Sequence, residues 1–280
     1  MSNVRKAKHG WVLTLIFSLI SIAYIMPIVI VLMNSFKRKI FISNRPFALP
    51  DAKSFVKIEN YINGIQKTDF FRAFGYTLFI TVGSVFVIVL CTSMCAWYIS
   101  RVKNKWTTGI YYLFAFSMIV PFQMVMFTLS KIADILHLGN PVGIIIVYLG
   151  FGAGLAVFMF CGFVRSIPLE IEESAMIDGC NPVQTYFKIV FPIMKPTAIS
   201  VAILETMWVW NDYLLPYLVL KINKYKTIQI AIQYLKGGYG AIDMGAMMAM
   251  IVLAIIPIIL FYGFCQKYII EGGISGAVKG

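Results

Sequence analysis

The sequence predicts an all-α polytopic membrane protein with six membrane-spanning helices and one polar helical loop. Apolar residues make up 60% of the 280 residues and charged residues only 13%, a balance that a water-soluble domain could not expose without aggregating. Five segments without a charged residue each exceed the roughly 20 residues that cross a bilayer as a helix. These segments are residues 11–33, 73–100, 106–130, 138–164 and 244–266.

A sixth apolar segment, at about residues 196–220, is long enough but carries Glu205 and Asp212. Three basic residues precede the first segment, Arg5, Lys6 and Lys8. That segment is long and lacks a small-x-small cleavage pattern, so we expect a retained helix and not a secretory signal. Lysines and arginines are almost evenly divided between the two sides of a six-helix topology, so charge does not select the orientation.

The domain organisation predicted is a single transmembrane domain over residues 1–280, with its core at about 73–267 and the polar loop at about 165–195. No period of 20 to 50 residues repeats. The five cysteines and two histidines form no set with metal-ligand spacing, so we expect no metal site. The net charge of +12 is spread along the chain and favours interfacial anchoring over nucleic-acid binding.

The polar loop is predicted to contain two short helices that meet at a bend. Ser166 with Pro168 is a start signal for the first helix, and Gly179 is suited to end it. Its first turns carry three acidic residues that favour the positive end of the helix dipole, Glu170, Glu172 and Glu173. We expect Glu170 and Glu172 to be solvated charges.

The second helix of the loop has its own start signal in Asn181-Pro182-Val183-Gln184. Asparagine is a preferred N-cap, proline suits the first helical position, and glutamine completes a capping box.

The loop as a whole resembles the EAA loop of permease subunits in ATP-binding-cassette (ABC) importers. The family pattern is E-A-A-x-x-D-G, nine residues, then I-x-L-P. This chain has Glu173-Ser174-Ala175-Met176-Ile177-Asp178-Gly179, nine residues, then Ile189-Val190-Phe191-Pro192, and departs only at Ser174 and Phe191.

Further fragments resemble carbohydrate-importer permeases, in particular the subgroup typified by the smaller permease subunit of the maltose transporter. They lie at residues 47–50, 60–61, 118–123, 136–140, 237–240 and 276–280, and Trp210-Asn211-Asp212 belongs with them. The resemblance therefore extends over nearly the whole chain.

The resemblance implies a type I ABC importer fold in a bacterial cell membrane, with the loop and both termini in the cytoplasm. It implies four kinds of partner: a second permease subunit, two ABC ATPase subunits, an extracellular or periplasmic sugar-binding protein, and membrane lipid. The chain has no G-x-x-x-x-G-K-[ST] motif for phosphate binding. We therefore expect no catalytic residue and no cofactor in this chain, with ATP and Mg bound by the partner ATPase.

The resemblance also implies that the loop couples to the ATPase, through Glu173, Ser174, Ala175, Met176, Asp178 and Gly179. A projecting helix can lie in a groove of a partner, with Leu169, Ala175 and Met176 as apolar contacts. The alternative is an ordinary amphipathic loop that covers the end of the helix bundle.

The fifth span is expected to line a substrate path. Glu205, Trp208 and Asp212 have i, i+3, i+7 spacing and so share a helical face with Asn211 beside them. Carboxylates and an indole suit a sugar, which could stack on Trp208 or Trp210. In the alternative interpretation, Glu205 caps an interhelical network, and Asn211 and Asp212 relax the helix before Pro216.

Two rival functions stay open on the sequence alone. One is an ABC importer permease for another solute, such as a polyamine, phosphate or an amino acid, because the EAA loop is common to these. The other is an ATP-independent secondary transporter, which would be expected to place titratable residues in several spans. Here only the fifth span contains any.

Overall fold

The computed structural model describes residues 10–235 and 242–277. Within them the regular structure is helical, apart from one isolated bridge between Lys37 and Phe55. The basic residues Arg5, Lys6 and Lys8 and the fragments at 237–240 and 278–280 lie outside the described residues. The helices are α1 Gly10–Asn34, α2 Lys39–Asn44, α3 Glu59–Thr68, α4 Phe70–Arg101, α5 Lys105–Ser117, α6 Phe122–Ile135, α7 Gly143–Val164, α8 Leu169–Ile177, α9 Pro182–Thr185, a π-helical turn Tyr186–Val190 (the π-turn), α10 Phe191–Ile193, α11 Lys195–Asn211, α12 Leu214–Val219, α13 Ile228–Tyr234 and α14 Met244–Ala277.

Four helices of the described residues are long and apolar enough to cross a membrane without interruption, namely α1, α4, α7 and α14. Two further spans arise if each of two bent helix pairs counts as one. The predicted number of six is therefore reached only with the bent pairs included. Pro27 and Pro257 lie inside α1 and α14, which continue through them.

Proline explains both bends. The third predicted span divides into α5 and α6, which meet at 108°, because Pro121 has an extended backbone (ψ 136°) and α6 starts only after it. Pro121 thus ends one helical segment and precedes the next. The segment 182–193 meets α11 at 75°, where Pro196 in the first turn of α11 lacks the N–H of a continuous helix.

The described chain forms two compact units, the first from residues 10–70, 232–235 and 242–257, the second from residues 71–231 and 258–277. The core of the second unit is centred on α7, where Ala156, Phe160 and Cys161 are completely buried. Glycines on α7 allow this packing. A Cβ on Gly152 would lie 2.7 Å from Ile88 of α4, and one on Gly154 would lie 2.6 Å from Ser117 of α5.

The first unit packs α3 against the start of α14. A Cβ on Gly64 of α3 would lie 2.7 Å from Met250, so the two helices touch closely there. Lys67 pairs with Asp243 at 2.5 Å, and the second oxygen of Asp243 accepts the Ala246 N–H at 3.1 Å. Asp243 is therefore both an ion-pair partner of α3 and the N-cap of α14.

This arrangement lowers the pKa of Asp243. Burial acts to raise the pKa of its carboxyl group, but the hydrogen bonds from Lys67 and from the Ala246 N–H outweigh it and hold the pKa below its usual value. The native state therefore favours the carboxylate, and its stabilising effect is present above the unfolded-state pKa and lost as pH falls through the native-state pKa.

We expect Asp243→Asn to lower the free energy of unfolding by about 0.2–1 kcal/mol, because it keeps the cap but loses the exposed ion pair. Asp243→Ala also loses the cap and should cost about 1 kcal/mol more. Thermal unfolding of the purified protein in detergent at several pH values tests this. The difference between wild type and Asp243→Asn should be full above about pH 4 and vanish in more acidic buffer. Asp134→Asn, at an exposed position of α6, is the matched control. A difference that persists at low pH would contradict the assignment.

Candidate functional site

The first helix of the polar loop, α8, ends in a Schellman motif. The Cys180 N–H donates to the Ala175 carbonyl and the Gly179 N–H to the Met176 carbonyl, both at 3.0 Å. Gly179 has φ +86°, which confirms the prediction that a glycine bend ends this helix. No atom lies within 4 Å of a Cβ added at Gly179, so the need for glycine is conformational and not a matter of space.

The second helix of the loop begins as the sequence predicts. The Asn181 side chain accepts the Gln184 N–H at 2.9 Å, and the Gln184 side chain accepts the Asn181 N–H at 3.0 Å. This capping box opens α9, which continues through the π-turn and α10 towards α11.

The prediction that Ser166 is part of the start signal of α8 is wrong. Ser166 does not cap the helix, because its hydroxyl donates backwards to the Phe163 carbonyl at 2.8 Å. Pro168 directly precedes the helix and Leu169 is its first residue. The N-terminus of α8 therefore has no side-chain cap.

Glu172 is the largest departure from the sequence analysis. It was expected to be a solvated charge, but only 2% of it is exposed. Its Oε1 accepts hydrogen bonds from Arg101 Nε at 2.9 Å and Arg101 Nη2 at 2.6 Å. Its Oε2 accepts the Trp97 indole N–H at 2.9 Å. The helix-start residue Glu172 is thus the anchor of α8 on the end of α4.

The residues predicted to couple the loop to a partner lie mostly on its surface. Exposed positions are Glu173, Ser174, Met176, Asp178 and Gly179. Ala175 is buried, with 4% exposed, so it does not offer the apolar contact to a partner that the sequence suggested. A small residue is needed there because α8 turns this face towards the protein. The exposed apolar side chains of the helix are Leu169, Ile171, Met176 and Ile177.

Glu205, on α11, lies inside the second unit with 3% exposed. Its Oε2 is buried without a hydrogen-bond partner and would lie 2.9 Å from a Cβ at Gly152. The glycine on α7 thus makes room for the carboxyl group.

Trp208 and Asp212 are joined through a residue of α7 that sequence reasoning missed, Tyr148. The Tyr148 hydroxyl donates to Asp212 Oδ2 at 3.1 Å, and its ring meets Trp208 edge-on with centroids 5.4 Å apart. Asp212 Oδ1 accepts the Leu214 N–H at 3.0 Å and so starts α12. Asn211 is exposed.

Trp210 is not available for stacking on a ligand, contrary to the sequence-based expectation. It is 4% exposed and its ring packs edge-on against Phe74 at 5.9 Å. The Trp208 residue is 39% exposed, so a ligand could reach its indole ring.

Four residues of the site carry no local signal in the sequence: Trp97, Arg101, Tyr148 and Tyr186. Trp97, Arg101 and Tyr148 lie in or beside apolar segments, whereas Tyr186 lies in the polar loop. Each becomes informative only through a partner 64 or more residues away. Among the described residues no group of three histidine, cysteine, aspartate or glutamate side chains could hold a metal ion.

The chain matches the family described as "binding-protein-dependent transport system inner membrane component" over residues 88–272. It is 36% identical to the probable starch degradation products transport system permease protein AmyC of Thermoanaerobacterium thermosulfurigenes, over 96% of this chain and 97% of that protein. It is 31% identical to the multiple sugar-binding transport system permease protein MsmG of Streptococcus mutans, over the full length of both.

A similar fold occurs in the crystal structure of a bacterial ABC transporter involved in the import of the acidic polysaccharide alginate. The TM-score is 0.77 at 22% identity, over 96% of this chain and 99% of the other. The all-α membrane fold that the sequence predicts is thereby confirmed.

We expect Gly179→Val to loosen the end of α8, because a left-handed backbone costs roughly 1–2 kcal/mol for a residue with a Cβ and valine is branched there. Hydrogen–deuterium exchange of a peptide covering residues 174–181 should become faster. Gly179→Asn is the matched control, since asparagine tolerates this conformation, and it should stay close to wild type. Equal exchange in both variants would contradict a conformational role for Gly179.

Proposed function

We propose that this chain, which belongs to the family of binding-protein-dependent transport system inner membrane components, is the permease subunit of an ATP-driven sugar importer. It forms half of the translocation pathway and works with a second permease. The observation that carries the proposal is the match to sugar-transport permeases over essentially the full chain. Sugar is proposed as the solute because the relatives are named for starch degradation products and for multiple sugars.

The loop containing α8 and α9 is the proposed contact with a separate ATPase subunit. Its exposed surface combines the acidic Glu173 and Asp178 with Met176 and Ile177, of which 50% and 86% are exposed. Large apolar side chains so exposed on a short polar helix favour a protein partner that covers them. ATP and Mg are held by that partner, so this chain binds neither and performs no covalent chemistry.

The coupling follows from the geometry of the loop. Two helical arms, α8 on one side and α9 with the π-turn on the other, meet at Gly179, and each has an exposed apolar side chain, Met176 and Val183. A groove of the ATPase that binds these arms and closes on ATP binding would carry them with it. The complete transporter contains two ATPase subunits. A sugar-binding protein acts on the other side of the bacterial membrane.

The substrate path is proposed to pass the half-exposed Trp208. Its indole is held edge-on by Tyr148, which leaves part of the ring free for the C–H face of a sugar. Asn211 is exposed one turn further along α11 and can hydrogen-bond hydroxyl groups. Glu205 is enclosed against Gly152, so it would reach a sugar only if α7 and α11 separate.

Affinity purification of the tagged chain from its native membrane should recover a second permease and an ATPase that contains the G-x-x-x-x-G-K-[ST] motif. Adding the sugar-binding protein with maltotriose or raffinose to the purified complex should raise the rate of ATP hydrolysis. A complex whose ATPase lysine in that motif is replaced by alanine is the control and should hydrolyse no ATP. Recovery of the chain without an ATPase, or stimulation by a polyamine or an amino acid and by no sugar, would contradict the proposal.

Trp208→Ala and Asn211→Ala should lower sugar uptake by the assembled transporter by about tenfold, the loss expected for 1.4 kcal/mol of binding free energy. Glu205→Gln tests whether the enclosed carboxyl group takes part. Uptake is measured in proteoliposomes together with ATP hydrolysis. Trp106→Ala is the control, because Trp106 is an equally large side chain that is 83% exposed at the start of α5 and belongs to neither α7 nor α11. Wild-type uptake in all three pathway variants would place the path elsewhere.

A further inference from the structure

One face of α4 contacts both arms of the polar loop. Ser93, Trp97 and Arg101 follow each other at four-residue spacing, which places them in one row on the helix. We refer to these three residues as the α4 anchor row. They lie in the last turns of α4, which ends at Arg101.

Trp97 and Arg101, at the C-terminal end of the row, hold α8. Arg101 donates to Glu172 from both Nε and Nη2, and its Nη2 also donates to the Ile167 carbonyl at 3.0 Å. Arginine therefore holds both the helix and the chain just before it. The Trp97 indole N–H occupies the second carboxylate oxygen of Glu172, so both oxygens are satisfied inside the protein.

Ser93 and Trp97, at the N-terminal end of the row, hold the π-turn. Ser93 and the Tyr186 hydroxyl form a hydrogen bond of 2.6 Å, and Tyr186 is 1% exposed. The Trp97 ring lies 5.4 Å from the Tyr186 ring. Trp97 thus contacts both arms at once, through its N–H on one side and its ring on the other.

The two arms also contact each other directly. Gly179 joins them and has open space around its Cα, and the neighbouring Asp178 and Asn181 are exposed. The common attachment to α4 therefore adds to these direct contacts in setting the relative position of the arms. The short connection of residues 165–168 also holds α8 to the second unit, since the Ile167 side chain is buried in its core.

We propose that the α4 anchor row, which binds Glu172 of α8, positions the polar loop. When the loop is displaced, the row transmits that displacement to the membrane-spanning part of α4. This inference rests on the function proposed above, in which α8 contacts an ATPase. Glu172 and Arg101 act through the loop and touch neither ATP nor sugar, so they are positioning residues.

The physical reason lies in the burial of the ion pair. Separating a buried carboxylate from its guanidinium leaves an uncompensated charge, which is strongly unfavourable. Small displacements of α8 therefore move Arg101 with it. Because α4 is one continuous helix of 32 residues, about 48 Å long at 1.5 Å per residue, a tilt at Arg101 is carried along the whole span.

The test compares ATP hydrolysis and sugar uptake in the reconstituted transporter with the sugar that stimulates it. Glu172→Gln keeps the shape and removes the charge. We expect the complex to assemble with unchanged basal ATP hydrolysis, while stimulation by the sugar-loaded binding protein falls about fivefold or more, the lower end of usual coupling between sites. The uptake per ATP hydrolysed should fall with it, a result that a merely structural role would not produce.

Two milder variants keep the proposal testable if Glu172→Gln fails to fold. Arg101→Lys retains the charge without the two guanidinium nitrogens that donate to Glu172 Oε1. Trp97→Phe keeps an aromatic ring but removes the indole N–H and part of the ring area. Both should reduce stimulation by less than Glu172→Gln. The matched controls are Glu170→Gln and Arg165→Lys, at exposed positions next to the same loop, which should behave as wild type. Wild-type stimulation in assembled Arg101→Lys and Trp97→Phe complexes would overturn the proposal.

A photocrosslinker separates this inference from the function on which it rests. Benzoylphenylalanine introduced at position 176, whose side chain is half exposed, should crosslink to the ATPase subunit. A crosslink together with wild-type coupling in Glu172→Gln overturns the anchor row alone. No crosslink in the assembled complex overturns the ATPase contact itself.

Discussion

The buried ion pair between Arg101 and Glu172 is the interaction on which the arrangement of the polar loop depends. A carboxylate that is 2% exposed is tolerated only when its charge and both of its oxygens are matched. Arg101 and Trp97 supply that match from the end of α4. A helix of nine residues, too short to be stable alone, thereby acquires a defined place.

The same constraint explains the composition of the loop surface. With Glu172 and Ala175 turned inward, the other side of α8 must carry its exposed residues, among them Glu173, Met176 and Asp178. The residues of this short helix therefore divide between two faces. One face is fixed to the membrane domain, and the opposite face is exposed.

The interior of the second unit follows a different rule, close packing around glycine. Gly152 admits the Glu205 carboxyl group and Gly154 admits the end of α5. Tyr148 then links α7 to the break between α11 and α12 through Asp212. The polar residues of the fifth span thus have two distinct environments, one enclosed against α7 and one at a partly exposed break, and Trp208 belongs to the second.

The sequence by itself determined the features whose causes are local. The bend at Gly179 and the capping box of Asn181 and Gln184 depend on residues within about one or two helical turns. The apolar spans depend on continuous runs of roughly 20 residues, so composition and spacing suffice to predict all of these features. The match to a transport family also follows from the chain alone.

Only the tertiary structure decided which side chains of those helices face inward. Glu172 looked solvated because its partner Arg101 lies 71 residues away along the chain. Trp210 looked accessible because Phe74, which packs against its ring, lies 136 residues away. Burial is a property of elements brought together from far apart in the sequence, and no local pattern encodes it.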